Sequence, residues 1–182
     1  MDDGALSYRR YLDGDQEAFD EIIALFRDSM ILFINGYVRN ISIAEDIAMD
    51  VFAELIFHKK RYNFKSSLKT YMFSIARNKS IDYVRKNKRY AQSEMDENYI
   101  SDLSDLTESV IKKDNRRILH KSIDGLKEDY KTVIYLLYFE ELSYDEIACV
   151  MHKSKKQIDN LAYRAKKELK LILEKEGIEY AE

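Results

Sequence analysis

No proline and only five glycines interrupt the 182 residues. These two residues are the strongest breakers of regular structure, so their scarcity favours long helices over a turn-rich β fold. A single cysteine, Cys149, excludes an internal disulfide framework and fits a reducing compartment. The longest apolar run, Val133 to Phe139, is far too short to span a bilayer, so no membrane insertion is expected. The chain opens on the acidic Met1-Asp2-Asp3 without a basic and then apolar leader, and a cytoplasmic protein is expected. No glycine-rich phosphate loop and no paired cysteines occur. The histidines are three and scattered: His58, His120 and His152. Glu54 and His58 stand one helical turn apart, but no second carboxylate–histidine pair matches them. Neither a metal site nor a cofactor is expected, and no serine has a positioned base. The chain therefore shows no catalytic residues and is not expected to be an enzyme.

Apolar residues make up 46 % of the chain, enough for a packed core. The formal net charge is −3, which argues against indiscriminate nucleic-acid binding. Its distribution is uneven. Residues 1–58 carry 12 acids and four Lys/Arg, and residues 59–89 carry 11 Lys/Arg with only Asp82 against them. Residues 91–111 then carry six acids and no base. Blocks of opposite sign point to different partners for different segments.

Helical periodicity appears from Phe19 to Val38 through Phe19, Ile22, Ile23, Phe26, Met30 and Phe33. Ser42-Ile43-Ala44-Glu45 has the form of a capping box and predicts a helix from there to about His58. Its apolar row is Ile43, Ile47, Val51 and Leu55, widened by Ala44, Ala48, Phe52 and Ile56. Asp46, Asp50 and Glu54 form a carboxylate row beside Met49 and Ala53, a surface suited to a basic protein partner. A polar, aromatic segment follows, and then a third helix from about Ser67 to Lys88 with Leu68, Tyr71, Met72, Ile75 and Ala76 inward. Residues 91–114 are acidic, Ser/Asp-rich and weakly apolar, and are expected to be a flexible linker. Pattern resumes near Asn115 through Ile118, Leu119, Ile123 and Leu126, with another helix over Tyr130 to Phe139. The fold class expected is all-α, with two small helical domains joined by that linker.

The C-terminal part is the most telling. Ser143-Tyr144-Asp145-Glu146 and Ser154-Lys155-Lys156-Gln157 are two more capping boxes, and they set two helix starts independently. Ile147, Ala148 and Met151 face inward on the first helix, and Cys149 falls off that pattern. Ile158, Leu161, Ala162, Ala165 and Leu169 face inward on the second. His152 occupies a turn where glycine is common, which predicts a left-handed backbone at a residue that tolerates it. This is a helix-turn-helix, whose second helix can enter the DNA major groove. Ser154, Lys155, Lys156, Gln157, Asn160, Tyr163, Arg164 and Lys167 form its candidate DNA face. Lys156, Arg164 and Lys167 can neutralise phosphates, and Gln157 and Asn160 can pair with base edges. Asp159 lies nearer the flank.

Upstream, His58 to Lys69 interleaves Lys59, Lys60, Arg61, Lys65 and Lys69 with Tyr62 and Phe64. Cations track a nucleic-acid backbone, and exposed aromatics stack on bases. Either ring can instead anchor the loop in the core. Asn63, Ser66 and Ser67 are candidates to line a pocket for an unstacked base. Arg77, Asn78, Arg85 and Lys86 lie off the apolar stripe of the next helix and are candidates for phosphate and base contacts. Asp82 is placed to orient them.

The run Ser42-Ile43-Ala44-Glu45-Asp46-Ile47-Ala48-Met49-Asp50-Val51-Phe52 resembles region 2 of bacterial sigma factors of the extracytoplasmic-function group. Leu68-Lys69-Thr70-Tyr71-Met72-Phe73-Ser74-Ile75-Ala76-Arg77-Asn78, followed by Asp82-Tyr83-Val84-Arg85, continues it. Leu126 to Leu169, with Glu146-Ile147-Ala148 and Tyr163-Arg164-Ala165, looks like region 4. The resemblance covers nearly the whole chain in the right order. It implies a region 2 domain over 1–90, a linker over 91–114 and a region 4 domain over 115–182.

The resemblance further implies binding of core RNA polymerase through Asp46, Met49, Asp50, Ala53 and Glu54. It implies opening of the promoter −10 element by Arg61, Tyr62, Asn63, Phe64, Lys65, Ser66, Ser67, Lys69, Arg77, Asn78, Arg85 and Lys86. Region 4 would bind the −35 element of promoter DNA. An anti-sigma factor is a common partner in this group, though no residue here identifies one. The sequence departs from the family pattern in three places: Tyr71 stands where Trp is usual, Lys127 where Pro is common, and the pair Asp159-Asn160 where more basic residues are common. Two other functions stay open on the residues alone: a stand-alone helix-turn-helix regulator binding a palindrome as a dimer, and a protein-binding adaptor.

Overall fold

The computed structural model describes residues 3–90 and 118–176, and every regular element among them is helical. The linker expected over 91–114 and the resumption of helix near Asn115 lie outside the described residues. The chain divides into two compact units, one built on the first four helices and one on the last four.

The N-terminal unit comprises α1 (Asp3–Leu12), α2 (Glu17–Val38), α3 (Ile41–Phe57) and α4 (Leu68–Tyr90). Helix α2 packs against the other three and forms the centre of the unit. Its inward residues Phe19, Ile22, Phe26, Met30 and Phe33 are buried, as their spacing predicts. They meet Ile47, Val51, Phe52 and Leu55 of α3 and Leu68, Met72, Phe73 and Ala76 of α4, all buried. Ring contacts such as Phe33–Phe73, 5.1 Å between centroids, fill the space where helices cross.

Helix α3 begins differently from expectation. Its N-cap is Asn40, whose side-chain oxygen accepts a hydrogen bond from the Ile43 amide at 3.2 Å. Ser42 lies inside the first turn, and Glu45 turns towards Arg27, 3.5 Å away, instead of back to the helix start. The cause lies one residue upstream. Arg39 closes α2 with a left-handed backbone, φ 52°, which leaves Asn40 extended and in cap geometry. Helix α4 starts as expected, with the Ser67 hydroxyl accepting from the Thr70 amide at 3.1 Å.

Helix α1 is an element for which the periodicity gave no expectation. It docks through Tyr8 and Tyr11, both buried. The Tyr8 hydroxyl donates to the Leu55 carbonyl at 2.9 Å, and burial pushes its pKa up to about 12.

The C-terminal unit contains helical residues 118–124 (α5), α6 (Glu128–Tyr138), α7 (Tyr144–Met151) and α8 (Lys155–Lys175). Helices α6 and α8 pack together through Val133, Ile134 and Leu136 on one side and Ile158, Ala162, Ala165 and Leu173 on the other. Ile147 of α7 is fully buried. Lys127 precedes α6 in an extended conformation with no side-chain cap, so a residue other than proline serves that helix start. Among the described residues no helix is long and apolar enough to cross a membrane.

Candidate nucleic-acid and protein interfaces

The turn between α7 and α8 is fixed at both ends. At the α7 start, the Ser143 amide donates to the Glu146 carboxylate at 3.0 Å and the Glu146 amide donates to the Ser143 hydroxyl at 3.3 Å. At the α8 start the reciprocal bonds join Ser154 and Gln157. Between them His152 adopts φ 53°, the left-handed turn that its position predicts. Lys153 and Lys155 tie the turn to acids of the same unit, Asp129 at 3.2 Å and Asp145 at 2.7 Å.

Helix α8 thus leaves the turn with a defined orientation. Ile158, Ala162, Ala165 and Leu169 are buried, and Lys156, Asn160, Tyr163, Arg164 and Lys167 are exposed. Tyr163 is 69 % exposed, so its ring is free to lie against another surface. Gln157, Asn160, Leu161 and Arg164 line one shallow open depression with Lys153. Four of the expected side chains are partly engaged within the protein, the first being Ser154, whose hydroxyl accepts from the Gln157 amide at 3.3 Å. Lys155 is paired with Asp145, Gln157 completes the capping box, and Asn160 donates to the Lys156 carbonyl at 3.0 Å. Lys156, Arg164 and Lys167 remain the outward cations of this face.

In the N-terminal unit, α3 carries the acidic row expected from its spacing. Asp46 is exposed, whereas Asp50 pairs with Lys79 at 3.2 Å and Glu54 pairs with Arg61. His58 approaches the other Glu54 oxygen at 3.9 Å. The apolar share of this face is larger than the sequence indicates. Met49 and Phe57 are 57 % and 78 % exposed, and Ile56, expected to widen the buried row, is exposed too. Helical spacing puts all three beside Ala53.

The segment between α3 and α4 changes one assignment. Tyr62 is only 4 % exposed. Its hydroxyl donates to the Ser66 carbonyl at 2.7 Å, and its ring packs on Tyr8, Phe64 and Tyr71. It is a loop anchor in this arrangement, not an open platform for a base. Tyr71, in the place where Trp is usual, fills the same cluster, and burial raises its pKa, with the Glu54 charge adding to the rise. Phe64 is half-buried with a left-handed backbone, φ 60°, and the Arg9 guanidinium lies 4.8 Å from its ring centre. The Asn63 side chain accepts from the Lys65 amide at 3.1 Å and shapes the turn. Ser67 caps α4. Arg61, Asn63 and Lys65 stay exposed, as do Asn78, Arg85 and Lys86 on α4, while Arg77 and Lys69 are half-buried. Asp82 lies 3.8 Å from Arg85, consistent with an orienting role.

Two candidate faces stand out, a basic helix-turn-helix face in one unit and a mixed apolar–acidic face beside a basic loop in the other. Their sequences match known families. The family models of sigma-70 region 2 and sigma-70 region 4 match residues 26–90 and 116–169. The chain is 27 % identical to the ECF RNA polymerase sigma factor SigM of Bacillus subtilis over 84 % of its own length and 93 % of that protein's. It is 30 % identical to the RNA polymerase sigma factor SigV of the same organism, over 79 % and 83 % of the two chains. Among solved structures, the sigma factor RpoE in complex with the anti-sigma factor NepR from Bartonella quintana shares the fold. Its TM-score is 0.71 at 21 % identity, covering 86 % of this chain and 96 % of that one. Both region models match this one chain, in order, and the protein belongs to the extracytoplasmic-function group of RNA polymerase sigma factors.

Proposed function

We propose that the two units work as one promoter-specificity subunit of core RNA polymerase, in the cytoplasm, with division of labour between them. In the N-terminal domain, 1–90, the α3 face with Asp46, Met49, Ala53, Ile56 and Phe57 docks on polymerase, its exposed apolar area supplying the contact and Asp46 the charge complementarity. Arg61, Asn63, Phe64, Lys65 and Lys69, with Arg77, Asn78, Arg85 and Lys86, hold the −10 element as it opens. In the C-terminal domain, 115–182, the outward face of α8 reads the −35 element. Residues 91–114 tether the two. The chain forms and breaks no covalent bond in this role. It contributes differential binding, and polymerase carries out synthesis. An anti-sigma factor is a natural regulator, since the solved relative RpoE was captured with one.

The observation that carries this reading is the union of a doubly capped helix-turn-helix with a region 2 unit in one chain. A stand-alone helix-turn-helix regulator needs only the former, and the family matches do not favour it. Incubating the chain with core polymerase and a promoter library tests the proposal. It predicts new start sites and opened DNA upstream of them. A regulator that binds duplex palindromes without polymerase, or an adaptor that binds only proteins, gives neither.

A further inference from the structure

We infer that α1 completes the −10 surface: Arg9, together with Lys59 at the start of the loop, takes phosphates of the opened DNA strand. This rests on the promoter-opening role proposed above and extends it to a helix that has no part in that role so far. Two cation–ring contacts join α1 to the loop, and they run in opposite directions. Arg9 of α1 places its guanidinium carbon 4.8 Å from the ring centre of Phe64 in the loop. Lys59 of the loop places its ammonium 4.2 Å from the ring centre of Tyr11 in α1. The backbone beneath is pinned as well. The Tyr8 hydroxyl donates to the Leu55 carbonyl at 2.9 Å and lies 3.4 Å from the Lys59 carbonyl, which fixes α1 against the start of the loop.

The way these cations are held decides what they can do. A carboxylate partner cancels a cation's charge, whereas an aromatic ring orients it through its quadrupole and leaves the charge intact. Arg10 is the first case, tied to Asp15 and Glu21. Arg9 and Lys59 are the second. Both are exposed, and neither forms an ion pair among the described residues. A guanidinium seated on a ring keeps N–H groups at its edge, and these suit phosphate oxygens. The adjoining loop adds to the positive potential, since residues 58–69 carry five Lys/Arg and no acid. Cations set among aromatic rings are the make-up of a single-strand groove, where charge tracks the backbone and rings meet the bases. An acidic protein patch would use the charge and leave the half-buried Phe64 ring idle, so single-stranded DNA is the better-fitting occupant.

The test titrates holoenzyme, assembled from core polymerase and the full chain, with a promoter fork whose −10 strand is already single, across a salt series. Each phosphate neutralised on a single strand adds about 0.7 to the slope of log K against log salt. Arg9→Gln should lower the slope by about 0.7 and weaken binding about fivefold at roughly 0.1 M salt. Lys59→Gln should do the same from outside α1, and the two together should lower the slope by about 1.4. Arg9→Lys should restore the wild-type slope, because the charge returns. A second readout identifies the ligand. With one phosphate at a time replaced by an uncharged methylphosphonate, one position should weaken wild-type binding about fivefold and leave Arg9→Gln unaffected. Circular dichroism checks that each variant keeps its helices, and Lys59→Gln carries the test if Arg9→Gln does not fold. Unchanged slopes in the folded variants overturn the inference and leave the sigma role standing. Loss of polymerase assembly with no change of slope also overturns it, and assigns these cations to an acidic protein surface. If wild-type holoenzyme binds no promoter fork, the proposed function fails and the inference falls with it.

Discussion

His152 holds a left-handed backbone with a side chain that most such turns do without. The conformation costs an ordinary L-residue roughly 1–2 kcal/mol, and His tolerates it better than a β-branched residue does. His152→Val should therefore lower the stability of the C-terminal unit by about 1–2 kcal/mol in denaturant unfolding, and His152→Gly should not lower it. This turn was legible in the sequence because two serine boxes fenced it on either side. The start of α3 was not. Ser42-x-x-Glu45 and Asn40 both satisfy capping chemistry, and the arbiter is the left-handed Arg39, which no residue pattern displays. The same limit applies to Tyr62. An aromatic between lysines reads equally as a base platform or a loop anchor, and only the position of Tyr8 decides it.

At the scale of elements, α1 is what the periodicity failed to show. Its inward contacts use Gly4, Tyr8 and Tyr11, with Arg9 and Arg10 between, so no aliphatic stripe marks it. Yet it supports the candidate −10 loop, through Tyr8 against Tyr62 and Phe64 and through Arg9 over Phe64. Gly4 sets how closely α1 approaches α2. A Cβ there would stand 2.6 Å from the Phe26 ring and 3.4 Å from Leu68. Gly4→Ala should cost about 1–3 kcal/mol by overpacking, and should speed hydrogen exchange in residues 58–67 along with α1. The outer edge of α1 is held by charge. Arg10 bonds Asp15 at 2.6 Å and Glu21 at 2.9 Å, and Ser7 donates to Glu21 at 2.7 Å. The Arg10 bond holds the Asp15 carboxyl below its usual range, and the Ser7 and Arg10 bonds do the same for Glu21. A carboxyl whose folded pKa is depressed contributes stability that is full above its unfolded pKa and is lost as pH falls through the folded one. The anchoring of α1 should therefore be insensitive to pH above about 4.5, the ordinary Glu value, and weaken progressively below it. Arg10→Ala should flatten that acid limb in a hydrogen-exchange series, with the difference shrinking in high salt.

For the whole molecule, the sequence showed the order of the two regions and the alternation of charge, because both are linear properties. It did not show how many of the charges are spent inside each unit. Asp50 and Glu54 face Lys79 and Arg61, and Lys155 faces Asp145, which leaves fewer outward groups than the residue list implies. What remains on the candidate DNA face of α8 is three exposed cations, Lys156, Arg164 and Lys167. The net charge of −3 means that the free chain has little long-range attraction for DNA, and in the proposed function affinity comes from holding both domains on one scaffold. Salt dependence separates the phosphate contacts from the docking face. Each phosphate neutralised by a protein cation adds about 0.9 to the slope of log K against log salt. Replacing Lys156, Arg164 and Lys167 by Ala in the assembled holoenzyme should reduce that slope by roughly 2–3 and weaken promoter binding, with polymerase assembly unchanged. Met49→Asp should do the opposite, lowering assembly with polymerase while leaving the slope of whatever holoenzyme forms intact. Equal loss of assembly in the α8 variant would show that its basic face meets polymerase instead of DNA, and the two interfaces would have to exchange roles.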